Sequence, residues 1–256
     1  MCRLLAFSFS EKTQKQNRLN LISSFRNLAD SGMVPATISK GHNDGWGFSL
    51  YGNGNTNIYK SISSAHKDDS FDANSFLKED STQSGLVHLR KKTVGETSIS
   101  NTHPFVDGLY SFIHNGSVVK GSGPYEDLSS LCAGETDSER LFRKFLEIRK
   151  DKETLESYVE MLSGTKEKYP EFSAMNTILH DGDTIYVSRV VNTNNPKYEE
   201  FNLENYYTLW VGTSKDGDIV VSSEKINDGE IDYSLIPNNS VCVIDTKSKE
   251  QKLLSI

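Results

Sequence analysis

Short strand-like runs joined by tight-turn residues leave this chain few ways to fold. Residues 46–51 and the stretch around Ile58-Tyr59 flank Asn53-Gly54. Asn-Gly accepts the two positive φ angles that a two-residue hairpin requires, so the pair predicts an antiparallel hairpin. Residues 175–179 and 185–191 flank Asp181-Gly182, and residues 206–211 and 219–221 flank a turn at 215–217. Strand-like sequence also occupies 3–9, 86–90, 109–114, 241–244 and the neighbourhood of Leu253. Helical spacing interrupts these runs at three places. In 11–30, Leu21, Ile22, Phe25, Leu28 and Ala29 share one face. In 137–150, Thr136 is placed to cap the N-terminus with Glu139 three residues on. In 153–163, Leu155, Tyr158, Val159 and Leu162 form one face. Hairpins pair neighbours antiparallel, so this order favours two stacked, mostly antiparallel sheets with helices outside them. Without a linker or repeat, residues 1–256 are expected to form one domain. Residues 61–84 are rich in Ser, Asp and Lys and read as a surface excursion, with a short helix near Phe76.

Composition excludes several function classes. The net charge is -7 and Lys and Arg are scattered among Asp and Glu, so no basic stripe offers itself to a nucleic acid. No apolar run approaches the roughly 18–20 residues that span a bilayer, and none resembles a signal-peptide core. A cytoplasmic location is expected. The three cysteines, Cys2, Cys132 and Cys242, lie far apart with no C-x-x-C pair, and the six histidines show no ligand spacing. Reduced thiols, no metal and no cofactor are therefore expected.

Cys2 is the residue whose chemistry could organise the rest. A start methionine ahead of a small residue is usually removed, which would put a thiol and a free α-amine on one residue. Such an amine titrates at about 8 and can activate a neighbouring nucleophile. Four clusters elsewhere could serve it. The glycines of 41–47, around His42, Asn43 and Asp44, suggest a tight loop entering a strand. Arg90, ending a buried strand, could grip a carboxylate with a two-pronged donor set or form a structural salt bridge. His103, before Pro104, is expected to make a structural hydrogen bond. Asn115-Gly116 follows a strand. If the strand stops there, it could present a side-chain amide beside a backbone N–H, the donors of an oxyanion hole, or make a plain turn. Asp137, in a first helical turn, suits the helix dipole and could also meet an ammonium group.

Met1-Cys2-Arg3-Leu4-Leu5, Asp44-Gly45-Trp46-Gly47, Arg90-x-x-Thr93-x-Gly95, Asn101-Thr102-His103-Pro104-Phe105, His114-Asn115-Gly116 and Thr136-Asp137-Ser138-Glu139 occur in the order seen in class II glutamine amidotransferases. The series most resembles the stand-alone members of that family, and Val221-Ser222-Ser223-Glu224 is similar to their late strand. The resemblance implies an N-terminal-nucleophile hydrolase fold, a four-layer α/β/β/α sandwich. It implies Cys2 as nucleophile with its α-amine as base, and Asn115 with the N–H of Gly116 as oxyanion donors. Arg90 would hold the glutamine α-carboxylate with Thr93 nearby, and Asp137 the α-ammonium. The glucosamine-phosphate-synthase branch of the family has an aromatic residue after the arginine, where this chain has Lys91.

The implied activity is hydrolysis of the glutamine side-chain amide through a Cys2 thioester, releasing ammonia and glutamate. The ammonia could serve a separate synthase partner, because no residues here are left over for one. Equally, the chain could be a free-standing hydrolase of a γ-glutamyl amide. A binding or regulatory protein that kept the fold without turnover would be expected to lack Cys2, Arg90, Asn115 or Asp137, and all four are present. No G-x-S-x-G elbow supports a serine hydrolase.

Overall fold

The computed structural model describes residues 2–35, 38–73, 77, 82–118, 123–226 and 230–256. Their strands are β1 (Arg3–Ser8), β2 (Trp46–Gly52), β3 (Asn55–Ser61), β4 (Ser84–Leu89), β5 (Phe105–Asp107), β6 (Tyr110–Ser117), β7 (Ala174–His180), β8 (Thr184–Arg189), β9 (Trp210–Ser214), β10 (Ile219–Ser222), β11 (Ile231–Leu235), β12 (Ser240–Asp245) and β13 (Gln251–Ser255). They form two sheets, ordered β11-β9-β10-β1-β4-β2-β3 and β13-β12-β8-β7-β6-β5. The strand pairs in both are antiparallel. The 53–54 turn is built as its residues require, with φ of 49° at Asn53 and 75° at Gly54.

Alternation along each strand sorts its side chains between layers. In β1, Leu5 and Phe7 pack with Leu21, Ile22 and Phe25 of helix α1 (Lys15–Ser31), while Leu4 and Ala6 face the other sheet. In β6, Phe112 joins Phe142 and Phe145 of α2 (Asp137–Arg149) and Tyr158 of α3 (Thr154–Lys168), while Ile113 meets Leu4, Ala6 and Leu86 between the sheets. The result is the expected sandwich: α1, sheet, sheet, then α2 and α3.

Several boundaries differ from the sequence reading. Residues 206–211 do not form a strand from their start. Leu203–Tyr206 is a helical turn, and Tyr206 and Tyr207 are buried in a satellite cluster with Ala174 and Val191. The strand begins only at Trp210, where Leu235 and Ser222 supply partners on both sides, so packing overrides an aromatic-rich propensity. Asn115-Gly116 is not where the sixth strand stops. Both residues lie inside β6, opposite Asn176 and Met175. A Cβ on Gly116 would fall 1.8 Å from the Ala174 carbonyl oxygen, so the glycine permits a close strand approach rather than a turn. Helix α3 continues past 163 to Lys168, with Thr165 buried. The helix expected near Phe76 lies outside the described residues.

The cap of α2 forms, but only half of it as the sequence suggests. Thr136 Oγ accepts the Glu139 N–H at 3.2 Å, whereas the Glu139 carboxylate turns back to the N–H groups of Ala133 and Gly134, each at 2.8 Å. The carboxylate thus orders the loop that leads into Asp137.

Candidate active site

Strand parity brings the predicted residues together. Cys2 precedes β1 on the same parity as Leu4 and Ala6, and Asn115 shares the parity of Ile113, so both project into one end of the gap between the sheets. There the Cys2 N–H donates to Asn115 Oδ1 at 2.7 Å, joining positions 113 residues apart. With its oxygen so engaged, the Asn115 Nδ2 is buried without a hydrogen-bond partner. A buried unpaired donor costs roughly 1–3 kcal/mol, and such groups concentrate where a ligand completes them. Cys2, Arg90, Thr93, Gly116 and Asp137 line one narrow cleft.

The Cys2 thiol is 8% exposed, and Sγ lies 3.7 Å from the Lys91 carbonyl oxygen. Burial alone would raise its pKa. The positive charge at the chain's N-terminus, attraction and hydrogen bonding from His88, and the backbone of Lys91 outweigh burial and lower the pKa to about 5. His88, which the sequence analysis did not single out, lies two residues before Arg90 and shares that residue's face of β4. The signal was its period-2 spacing from Leu86, which faces the gap. Its Nε2 lies 3.3 Å from the His114 carbonyl oxygen, and its Nδ1 has no partner.

His103 does not make the hydrogen bond expected of it. Neither ring nitrogen has a partner; the ring stacks on His88 with centroids 4.1 Å apart. Burial, with His88 and His114 nearby, holds its pKa well below the usual histidine range, so it is neutral.

Arg90 uses both terminal nitrogens on the loop that follows it, donating to the Glu96 and Val94 carbonyls at 3.2 Å each. Each of those nitrogens carries a second hydrogen, so the guanidinium braces the loop and retains donors for the cleft. Asp137 accepts the Val118 N–H through Oδ2 and the Ser138 N–H through Oδ1, both at 2.9 Å. It therefore fixes the end of β6 as well as lining the cleft. Asn101 ties these regions together: Nδ2 donates to the Glu96 carbonyl at 3.0 Å and Oδ1 accepts the Glu135 N–H at 2.7 Å. Lys91 sends its ammonium away from Cys2, to the Gly41 carbonyl at 2.8 Å and Ser39 Oγ at 3.2 Å. The glycine-rich loop, in turn, meets the end of β4 through reciprocal backbone bonds. Asp44 N–H donates to Arg90 O at 3.0 Å, and Arg90 N–H donates to Gly45 O at 2.8 Å.

Behind Cys2 lies a polar network that sequence reasoning missed. Arg3 is fully buried, pairs with Glu224 at 3.1 Å, donates to the Met33 carbonyl at 2.6 Å and lies 4.5 Å from the Tyr206 ring centroid. Its Nε also donates to His42 Nε2 at 3.3 Å. Burial and the charge of Arg3 push the His42 pKa down, so its ring is neutral, and Nδ1–H donates to the Leu28 carbonyl at 3.1 Å. This network anchors β1 immediately beside the thiol and gives Glu224 of the late motif a structural task. Among the described residues no group of His, Cys, Asp or Glu side chains is arranged to hold a metal ion, and no helix is long and apolar enough to cross a membrane.

Comparison with known proteins places this geometry. The model of the class II glutamine amidotransferases matches residues 1–205. The uncharacterized protein MJ1515 of Methanocaldococcus jannaschii is 29% identical over 199 residues, covering 73% of this chain and 50% of that protein. A Saccharomyces cerevisiae protein described as "Probable glutamine amidotransferase DUG3" is 26% identical over 217 residues, covering 68% of this chain and 59% of that protein. The chain thus spans about half to three fifths of the length of these relatives. A glutamine aminotransferase class-II domain protein from Silicibacter pomeroyi superposes with a TM-score of 0.61 at 14% identity, covering 100% of this chain and 99% of that one. The glutamine phosphoribosylpyrophosphate amidotransferase of B. subtilis gives 0.65 at 12% identity, covering 99% of this chain and 49% of that one. At such identities the structural likeness speaks for the fold, the two-sheet sandwich of N-terminal-nucleophile hydrolases. With a family model spanning most of its length and that fold around Cys2, the chain belongs to the class II glutamine amidotransferases.

Proposed function

We propose that this chain hydrolyses the side-chain amide of glutamine through a thioester on Cys2, after removal of Met1 has freed the Cys2 amine. The observation that carries this reading is the Cys2 N–H bond to Asn115 Oδ1 at 2.7 Å, with Asn115 Nδ2 left as a buried donor without a partner. It orients the asparagine so that a donor is available beside the sulfur.

The thiolate attacks the amide carbon, forming the C–S bond. Negative charge gathers on the amide oxygen, where Asn115 Nδ2 and the Gly116 N–H stabilise it. The α-ammonium of Cys2 gives a proton to the amide nitrogen as the C–N bond breaks and ammonia leaves. Water then attacks the γ-glutamyl thioester, the α-amine takes a proton from that water, and glutamate departs with the sulfur restored as thiolate. The second hydrogens on the terminal nitrogens of Arg90, with Thr93, take the α-carboxylate. Asp137 takes the α-ammonium through lone pairs not used by Val118 and Ser138. With Met1 attached, burial is already outweighed by the positive N-terminus, His88 and the Lys91 backbone, which lower the thiol pKa. Once Met1 is removed the ammonium sits on Cys2 itself, which likewise favours the thiolate. A reducing, cytoplasmic setting would keep it so.

The test is intact mass before and after treatment with 6-diazo-5-oxonorleucine, an electrophilic glutamine analogue. The expected result is a chain lacking Met1 that gains one adduct, mapped to Cys2, with glutamate release abolished. An adduct elsewhere, or full activity in a chain that retains Met1, would overturn the proposal.

A further inference from the structure

Arg90 and Asp137 both line the cleft and differ in what they still lack. Burial works against the Arg90 charge, and the negative charges of Cys2 and Asp44 support it. Two backbone carbonyls hold its terminal nitrogens, so its remaining N–H groups can meet any oxygen acceptor, charged or neutral. Asp137 is 5% exposed, and its hydrogen bonds come from two neutral N–H groups. Among the described residues no cationic side chain pairs with it. A buried carboxylate gains most from a cation brought beside it. The pair therefore selects a free α-ammonium and accepts a neutral carbonyl in place of the α-carboxylate.

Space lies beyond that carbonyl. Thr93 and Val94, on the loop that Arg90 braces, line the cleft and also a neighbouring cavity of about 600 Å³. Cys2, Gly116 and Asp137 line the cleft alone, so the cavity opens from the α-carboxyl end, away from the scissile amide. Its volume falls among the roughly 300–1,000 Å³ pockets that bury organic groups. In its wall, the hydroxyls of Thr93 and Ser117 have no hydrogen-bond partner among the described residues. A hydroxyl both donates and accepts, which is what the N–H and C=O of a peptide unit require. Phe201, Leu203 and Tyr207 supply an apolar wall, with Leu203 and Tyr207 buried in the satellite cluster that fixes it. The exposed Asn194 and Lys197 leave a rim through which a longer chain can pass.

We propose that this cavity receives a peptide extension of the α-carboxyl group. The chain then deamidates peptides that begin with glutamine and an apolar second residue, in preference to free glutamine. The inference rests on the thioester reading above and adds to it what the substrate carries at the end far from Cys2. Bond changes are the same: C–S forms at the side-chain carbon, C–N breaks, and ammonia departs with the proton from the Cys2 α-ammonium. Water then cleaves the thioester and leaves a peptide whose first residue is glutamate. The peptide bond itself is untouched. Asp137 holds the free α-ammonium, Arg90 the first peptide carbonyl, and the Phe201 wall the second side chain.

The experiment uses the chain freed of Met1 and compares kcat/KM for five compounds. They are glutamine, its α-amide, glutaminyl-glycine, glutaminyl-leucine and glutaramate, which is glutamine without the α-ammonium. Mass spectrometry of the products separates glutamyl peptides from the pyroglutamyl peptides that form by spontaneous cyclisation. Glutaminyl-leucine should exceed glutamine at least about tenfold, with glutaminyl-glycine between them, the scale at which apolar pocket contacts discriminate. The α-amide should stay within about fivefold of glutamine, one hydrogen bond's worth. Glutaramate should fall at least about a hundredfold, because Asp137 is left without its cation. Phe201→Ala should lower the glutaminyl-leucine-to-glutamine ratio about tenfold. Glutaminyl-leucine turned over no faster than glutamine, glutaramate turned over as well as the α-amide, or a ratio unmoved by Phe201→Ala would overturn the peptide proposal and leave the thioester reading intact. A chain that hydrolyses none of the five, glutamine included, would overturn both.

Discussion

Cys2 and Cys242 occupy the same layer of this molecule and differ in almost everything else. Both are buried and both face the gap between the sheets, Cys2 at its end and Cys242 on β12 among Leu4, Ile113, Val187 and Ile244. In the apolar middle, burial meets no compensating charge and pushes the Cys242 thiol up to about 11. At the end, burial still opposes ionisation of Cys2, but the N-terminal charge, His88 and the Lys91 backbone reverse its effect, and the pKa falls to about 5. Burial by itself therefore does not make a thiol inert. The groups buried with it decide. The gap is an apolar core over most of its length and a preorganised polar site where Cys2, His88 and Asn115 meet.

The comparison can be broken most decisively at the sulfur. Cys2→Ala is expected to reduce glutamate release to background, whereas Cys242→Ala should leave the reaction in place and cost only core packing. Glutamate and ammonia assays on both variants check this. The pH dependence of alkylation comes next. A thiolate is the reactive form, so labelling rises as pH climbs through the pKa. In a chain that retains Met1, iodoacetamide labelling of Cys2 should be half-maximal near pH 5, while native Cys242 stays unlabelled up to the alkaline region around 11. In His88→Asn the Cys2 midpoint should move upward, because an attraction that favours the thiolate is gone; peptide mass mapping reads both sites. Asn115→Ala should lower kcat by about 10²–10³, the usual cost of one oxyanion donor. Steady-state kinetics would show a smaller effect if the asparagine only held the Cys2 backbone. The smallest effect is expected at the cap. Thr136→Ala should cost about 1 kcal/mol of stability, measured by denaturant unfolding, since only the Glu139 N–H loses its partner.

Much of this organisation is readable from residue order. Periodicity in 137–150 locates α2 to within a residue of its end, because Thr136 caps it and Leu141, Phe142 and Phe145 repeat at helical spacing. Asn53-Gly54 fixes its hairpin because so few residue pairs tolerate two positive φ angles. Where local preference and packing disagree, the sequence misleads. Tyr206 and Tyr207 favour a strand by propensity but are held in a helical turn and its cap by burial against Leu203 and Val191. Asn115-Gly116 favours a turn but stays in β6, since Gly116 lets the strand lie against the Ala174 carbonyl. The short β5 and β11 leave little trace in the sequence because they are edge strands that exist through their partners.

The sequence by itself determined the parts: a cysteine before a buried strand, an Asn-Gly pair, an arginine ending a strand and a capped aspartate, in an order that resembles one family. Only the tertiary structure decided that Cys2 and Asn115, distant in the chain, share one hydrogen bond, that Arg90 braces its own loop, and that a large cavity adjoins the cleft. The reason is physical. Local spacing sets which face of an element a residue occupies, whereas distances, burial and the pKa of a thiol depend on what the opposite sheet brings to that face.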